Sequence, residues 1–187
     1  MESRGYDRSP QGLELALLGL LRRHPSHAYE LHQALHTTEP LGLVWSLKQS
    51  NLYALLNKLE TAGYIESVLA SQGPRPPRKT LQLTPNGVAV FRHWLETPVA
   101  HGRDFRLEFL AKLALAQEEG EQAVSTLLAL QREATRTRLT ELERAVDAVA
   151  PDRPFERLVR QFRLTQLEAI LSWLVTCEQT LTPQSSS

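Results

Sequence analysis

The chain has 187 residues, which is enough for one medium-sized domain or two small ones. Its hydrophobic fraction of 42% is ordinary for a globular protein, and no uninterrupted apolar run is long enough to cross a membrane. Basic and acidic side chains number 21 each, and the resulting net charge of zero counts mildly against nucleic-acid binding, because most DNA-binding domains are basic.

Leucines at helical spacing open the chain and predict a helix over residues 11–23, buried on several sides and ended by His24-Pro25. Ser26 is the predicted N-cap of a second helix over residues 27–36. Residues 39–42 predict a turn, because they contain a proline and a glycine.

A third helix is predicted from about Leu47 to Gly63. Ser46 and Gln49 form the S-x-x-Q pattern of a capping box, which sets its start, and the glycine is a suitable C-terminal stop. The predicted buried side is one narrow stripe of leucines, namely Leu52, Leu55, Leu56 and Leu59. The opposite side of this helix therefore faces outward.

Two short strands are predicted next, over residues 65–70 and 79–84. The loop between them contains three prolines, which restrict its backbone, and no acidic residue occurs between Glu66 and Glu96. Thr84-Pro85 has the cap and first-turn residues of a fourth helix. This part of the chain is therefore locally basic although the whole chain is neutral.

Residues 97–103 contain two helix-breaking residues and predict a domain boundary. Helices follow over residues 104–116, 119–149 and 155–181, and their long apolar stripes must be buried against something. The side chains predicted to lie on the buried face of the last helix are Leu158, Phe162, Leu167, Ile170, Leu171 and Leu174. We therefore predict two domains, residues 1–98 and 99–187, with dimerisation through the second.

Three helices, a two-stranded hairpin with a basic tip and a further helix follow the order of a winged helix-turn-helix. The predicted fold class is mainly α, with a winged helix-turn-helix domain plus a C-terminal helical dimerisation domain. In such a domain one helix fits the major groove of DNA, and the hairpin, or wing, reaches an adjacent groove or line of phosphates.

The residues predicted to contact DNA lie on the outward side of the third helix and its flanks, in its first turn, and on the wing. They are Lys48, Gln49, Ser50, Asn51, Tyr53, Asn57 and Lys58 on the helix, and Arg75, Arg78 and Lys79 on the wing. Small and amide side chains can approach bases, whereas tyrosine and basic side chains can reach phosphates. The alternative interpretation is a solvated helix face beside an ordinary charged hairpin.

These segments resemble the PadR family of transcriptional regulators. The matching residues are 13–21, His27-Ala28-Tyr29-Glu30-Leu31 on the second helix, Trp45-Ser46, 49–65, 75–79 and 83–87. The block over residues 49–65 is the most specific, because it matches the family pattern L-Y-x-x-L-x-x-L-E-x-x-G. The strand Thr80-Leu81-Gln82 departs from the family, which usually has an aromatic residue there, and this indicates a variation in wing packing.

The resemblance implies a homodimer whose C-terminal helices cross between subunits. It implies double-stranded DNA with a palindromic operator as the partner, contacted by the third helix and the wing. It also implies repression of a nearby promoter, relieved by a small molecule or a stress signal.

Tryptophans and histidines offer further candidate sites. Trp45 could line a site for a small aromatic effector, because it lies beside the third helix and flat ligands stack on such rings. The alternative for Trp45, Trp94 and Trp173 is packing in a core or an interface. His32 and His36 have a common metal-ligand spacing, but no third ligand accompanies them, and no metal or other cofactor is predicted.

Motifs of catalysis are missing from the sequence, which has no glycine-rich phosphate loop, no H-E-x-x-H and no G-x-S-x-G, so the chain is predicted not to be an enzyme. The single cysteine, Cys177, excludes an internal disulfide and favours a cytoplasmic protein. Two functions remain, a DNA-binding repressor and a winged-helix protein-interaction module without DNA binding. The zero net charge permits the second, whereas the basic, acid-free wing favours the first.

Overall fold

The computed structural model describes residues 12–36, 40–44, 47–72 and 75–182. They are mainly α-helical, which confirms the predicted fold class. The chain divides into two compact units, with the division between Trp94 and Leu95. The domain boundary expected after Pro98, and the roles expected of the two domains, stay predictions.

The first unit contains the helices α1 to α4, the hairpin and most of α5. The bounds are α1 (Gly12–Arg23), α2 (Ala28–Ala34), α3 (Pro40–Val44), α4 (Gln49–Thr61), β1 (Ile65–Gln72), β2 (Arg75–Leu83) and α5 (Pro85–Glu96). The second unit is helical throughout its described elements. They are α6 (Gly102–Asp104), a π-helical segment (Phe105–Phe109), α7 (Leu110–Glu119), α8 (Glu121–Asp147) and α9 (Pro154–Leu181).

Helix α1 lies at the centre of the first unit. Every residue from Glu14 to Leu21 is buried, which confirms the prediction of a helix covered on several sides. The same core contains Leu31 from α2, Leu52 from α4 and Phe91 from α5. Burial of these large side chains supplies most of the driving force for folding this unit.

The start of α2 differs from the prediction. Ser26 does not cap it, because its backbone pairs with β2: its N–H donates to Leu81 O at 3.0 Å and its carbonyl accepts from Leu81 N–H at 2.9 Å. His27 is the N-cap instead, and its N–H donates to Glu30 Oε2 at 2.7 Å. The chain thus adds a one-residue β-bridge to the hairpin before α2 begins.

Two more boundaries in this unit are corrected. The predicted turn over residues 39–42 is wrong, because α3 begins at Pro40, a residue whose fixed φ suits the first position of a helix. Helix α4 begins at Gln49 and not near Leu47, with Lys48 as an N-cap that makes no side-chain hydrogen bond to the helix. Ser46, the other half of the predicted capping box, lies outside the described residues.

Strands β1 and β2 form an antiparallel hairpin from the pair Ile65–Leu83 to the pair Gln72–Arg75. Both strands extend beyond their predicted ends into the proline-rich segment. A two-stranded sheet consists of edges only, and edge strands accommodate proline, which cannot donate to the ladder.

The joint between the hairpin and α5 requires a glycine. The Gly87 N–H donates to Thr84 Oγ1 at 3.1 Å, which confirms Thr84 as the N-cap, and the Thr84 hydroxyl donates to Gly63 O at 2.7 Å. A Cβ at Gly87 would lie 2.0 Å from the Tyr64 carbonyl oxygen, so any side chain there would displace the backbone. This close approach fixes where α5 leaves the hairpin.

In the second unit α8 packs against α7 and α9, and the core includes Leu127, Leu174 and Cys177. The prediction for the start of α9 is wrong: Leu158 is 67% exposed and Phe162 is 64% exposed. The described helices include none that is both long and apolar enough to span a membrane.

Candidate nucleic-acid interface

Helix α4 turns a row of small and polar side chains outward, as its leucine stripe predicts. Leu52, Leu56 and Leu59 are buried and Leu55 is half-buried. The exposed residues are Lys48, Gln49, Ser50, Asn51, Tyr53, Ala54, Asn57 and Thr61. Six of the seven helix residues predicted to contact DNA are therefore exposed.

Lys58, the seventh, is half-buried and forms an ion pair with a residue of α1. Its Nζ lies 2.8 Å from Oε1 of Glu14 on α1, and the Glu14 side chain is only 6% exposed. The ammonium is thus already paired with a carboxylate inside the protein. This ion pair gives Lys58 a structural role, and its contact with DNA stays a prediction.

A groove of about 820 Å³ runs between α2, α4 and β2. Its walls include Tyr53 and Asn57 from α4 and Lys79 from the wing, which were predicted to act together. They also include His27, Tyr29 and Gln33, which the site prediction missed, although the first two lie in a segment that carries the family resemblance. The spacing of apolar residues along α2 could have predicted which of its side chains are exposed, as it did for α4.

Hydrogen bonds and an ion pair connect the base of the wing to both helices of the groove. His27 Nδ1 lies 2.8 Å from the carbonyl oxygen of Lys79 and donates to it in the tautomer protonated at that nitrogen. Lys79 Nζ lies 2.9 Å from Glu60 Oε2, and the Ser67 hydroxyl donates to the other oxygen of the same carboxylate. The Ser67 hydroxyl and the Lys79 ammonium lower the pKa of Glu60, which therefore stays ionised in the groove.

The outer part of the wing carries the other two predicted contacts. The backbone of Arg75 and Arg78 lies in β2, where Arg78 pairs with Ala70, but their side chains lie outside what the structure describes. Trp45, the predicted effector residue, is also outside the described residues. Nothing tests the roles given to these three residues, which stay predictions.

His32 on α2 and His36 just beyond the end of α2 contact each other. The rings of His32 and His36 stack with centroids 4.1 Å apart, and His36 Nδ1 lies 2.9 Å from the His32 carbonyl oxygen. Across the described ranges no group of three histidine, cysteine, aspartate or glutamate side chains is arranged to hold a metal ion.

The groove, the exposed face of α4 and the wing all lie in a segment that matches a known family. Residues 17–93 match the model of the "Transcriptional regulator PadR-like family", and residues 105–182 match the "Virulence activator alpha C-term" model. The negative transcriptional regulator PadR of Bacillus subtilis is 29% identical over 131 residues, which cover 70% of this chain and 71% of that protein. Residues 17–93 therefore form a PadR-like domain.

Two solved structures are similar to this chain over about nine tenths of its length. The crystal structure of B. subtilis PadR in complex with operator DNA is 26% identical, with a TM-score of 0.46, and the match covers 90% of this chain and 97% of that one. The virulence activator AphA of Vibrio cholerae is 20% identical, with a TM-score of 0.40, over 92% of this chain and 99% of that one. The PadR-like domain supports a transcriptional regulator as the function of this chain, and not an enzyme.

Proposed function

We propose that the protein acts in the cytoplasm as a homodimeric repressor, which binds a palindromic operator and is released from it by a small-molecule or stress signal. One observation carries the proposal: the polar, exposed row of α4 borders the groove that Lys79 of the wing also lines. A helix and a wing arranged in this way can contact the major groove and an adjacent phosphate line together. B. subtilis PadR, a relative that binds operator DNA, is a negative regulator, which supports repression here.

The exposed side chains at the start of α9 support a dimer. Phe155, Leu158 and Phe162 are 78%, 67% and 64% exposed, and their spacing of three and four residues places them on one side of the helix. Large apolar groups collected on one side mark an interaction surface. A second copy of this chain can cover them with the same side of its own α9, and the resulting two-fold symmetry matches a palindromic operator with half-sites about one helical turn apart.

The proposed function includes a small molecule that regulates the protein. B. subtilis PadR has been crystallised with p-coumaric acid, and we propose that a small aromatic molecule also regulates this protein. Trp45 stays the residue that the sequence predicts for an effector site.

The proposal is tested by selecting duplexes from a random-sequence DNA library with the full chain. We expect a palindromic consensus, a dimer mass by light scattering, and reduced transcription from a reporter promoter that carries the consensus. Asn57→Ala should weaken binding to the consensus, whereas Gln161→Ala, an exposed site on α9, should not. If the wild-type protein binds no DNA even at low salt, the protein-interaction module is the better interpretation.

A further inference from the structure

The half-buried His27 lies in the wall of the groove between α2, α4 and β2, and one of its ring nitrogens is bonded within the protein. Its Nδ1 lies 2.8 Å from the Lys79 carbonyl oxygen. A carbonyl oxygen only accepts hydrogen bonds, so Nδ1 carries a proton whenever this bond is formed. Nε2, on the other edge of the ring, has no hydrogen-bond partner among the residues that the structure describes. A further proton can therefore be bound only at Nε2.

The charged side chains around this imidazole give the groove an excess of negative charge. On α2, the Glu30 carboxylate accepts the His27 backbone N–H at 2.7 Å. On α4, the Glu60 carboxylate is paired with the Lys79 ammonium of β2 at 2.9 Å. The other titratable groups that line the groove are the hydroxyls of Tyr29 and Tyr53. Two carboxylates against one ammonium leave the lining negative while His27 is neutral, and protonation of His27 balances it.

The charge of the groove matters because the groove adjoins the surface that is proposed to bind DNA. Tyr53 and Asn57, two of the predicted DNA contacts, line it as well. When a helix enters the major groove of DNA, the helix that precedes it crosses the sugar-phosphate backbone. In this protein α2 precedes α4, apart from the short α3, and His27 is at the start of α2. A phosphate at the groove is repelled by the excess negative charge and is attracted once His27 is protonated.

We propose that His27 couples DNA binding to the uptake of a proton. In the complex its imidazole is protonated at both nitrogens, with Nδ1 bonded to the Lys79 carbonyl and Nε2 donating a charge-assisted hydrogen bond to a phosphate oxygen. Histidine suits this role, because its side chain ordinarily changes charge between about pH 5 and pH 8. Binding that takes up a proton weakens as the pH rises, so the affinity for DNA decreases through this range. The inference rests on the proposed function, since its ligand is DNA.

The wild-type full-length protein gives the first test. Calorimetric titration with the selected consensus duplex at about pH 7, in two buffers of different ionisation enthalpy, counts the protons taken up, and we expect up to about two for each dimer. From about pH 6 to about pH 8 the affinity should fall about tenfold, and the slope of log affinity against log salt should decrease by up to about one unit for each subunit. A scrambled duplex should show the same changes, because a phosphate contact carries little sequence information.

His27→Asn separates the charge of the ring from its structural bond. The asparagine amide can donate to the Lys79 carbonyl oxygen and is a preferred N-cap residue, but it binds no proton in this range. The variant should bind DNA about tenfold more weakly than the wild type at about pH 6 and equally well at about pH 8, with a salt slope independent of pH. His36→Asn is the matched control, because His36 is exposed beyond the end of α2 and outside the groove, and it should behave like the wild type.

The outcomes separate this inference from the proposed function. DNA binding without proton uptake in the wild type, or with the same uptake in His27→Asn, would overturn the inference and leave the proposed function standing. An affinity that His27→Asn lowers equally at both pH values would also overturn it, because His27 would then act only through structure. His27→Gln, which also lacks a titratable ring, covers the case in which circular dichroism shows that His27→Asn does not fold. Failure of the wild type to bind any duplex at about pH 6 and low salt would overturn the proposed function, and this inference with it.

Discussion

The ammonium of Lys58 donates to both oxygens of the Glu14 carboxylate, at 2.8 Å and 3.1 Å, and so connects helix α4 to the central helix α1. Glu14 is buried in the core of the first unit, whereas Lys58 is partly exposed. The pair therefore allows a charged residue to remain in a helix that is otherwise covered by apolar neighbours.

Replacing Lys58 with methionine should destabilise the protein without altering how its DNA affinity depends on salt. The substitution leaves a buried carboxylate without its ammonium, which should cost about 1 to 3 kcal/mol, less than for a fully buried pair because Lys58 is partly exposed. Urea unfolding measures the decrease in stability. Lys48→Met is the control, since Lys48 is exposed beside the start of α4, and it should change stability by no more than about 0.5 kcal/mol.

If Lys58 instead binds phosphate, the two variants will exchange their behaviour. Lys58→Met would then keep its stability and reduce the slope of log affinity against log salt. We expect that reduction from Lys48→Met only, by about one unit for each phosphate that the variant no longer binds.

The elements of this protein could be predicted largely from local sequence, because their signals are local. The leucine stripe of α4 and the Thr84–Gly87 cap depend on residues within a few positions of each other, and the structure has both. The pairing of Lys58 with Glu14 could not be predicted in this way, since a helical wheel represents one helix and the partner lies 44 positions away.

Two other predictions, the cap at Ser26 and the burial of Leu158 and Phe162, were wrong for similar reasons. The bridge between Ser26 and Leu81 joins residues far apart in the chain, so the sequence near Ser26 offers a cap but not the strand partner. At Leu158 and Phe162 the pattern correctly marks an apolar face, but a pattern does not distinguish burial within one chain from burial against a second copy.

Substitutions in the wing and in helix α4 should change the salt dependence of DNA binding differently. Arg78→Ala should weaken binding to all DNA and lower the salt slope by up to roughly two units in a dimer, because phosphate contacts carry little sequence information. Asn57→Ala should keep the slope and reduce discrimination at one position in each half-site by about 1 to 3 kcal/mol. Titrations of selected and scrambled duplexes at several salt concentrations give both quantities, and equal changes in the two variants would refute this division of labour.

Substituting Leu158 and Phe162 together with serine should convert a dimer into a monomer. Both side chains are exposed within one chain, so the change disturbs little of the packing in the folded monomer but removes most of the proposed apolar interface. Light scattering reports the mass, and circular dichroism reports whether the helices persist. Val175→Ser is a suitable control on the same helix, because Val175 is also exposed and lies about 220° around the helix from Phe162. A double variant that stays dimeric would exclude the Leu158 and Phe162 side of α9 as the interface.

Gln131 should be essential for the stability of the second unit. Its Oε1 accepts from the Val99 N–H at 2.7 Å and its Nε2 donates to the Val99 carbonyl oxygen at 3.2 Å, and both hydrogen bonds are buried. Gln131→Leu leaves the Val99 N–H without its acceptor and should cost about 1 to 3 kcal/mol for each group left unsatisfied. Gln131→Glu keeps an acceptor for the N–H and should recover part of this stability only at a pH low enough to protonate its buried carboxyl, whereas Gln161→Leu at an exposed site should be nearly neutral in the same urea titration.

The buried Lys112 should make the stability of the protein rise with pH in the alkaline range. Its side chain is 1% exposed, with Nζ 2.6 Å from the Thr97 carbonyl oxygen and 3.1 Å from Glu108 Oε1. Burial lowers the pKa of Lys112 below its ordinary value of 10.5, and the nearby Glu108 carboxylate opposes this only in part. Between the folded and unfolded pKa values of Lys112 the unfolded chain binds more protons, so the free energy of unfolding increases with pH in that range and is lower below the folded pKa.

Urea unfolding of the wild type from about pH 7 to about pH 10.5 should show this rise in stability. Lys112→Met should lack the rise and be less stable than the wild type at the alkaline end. Lys48→Met, which removes an exposed lysine, should keep the rise; an identical pH dependence in the wild type and Lys112→Met would show that Lys112 stays protonated throughout this range.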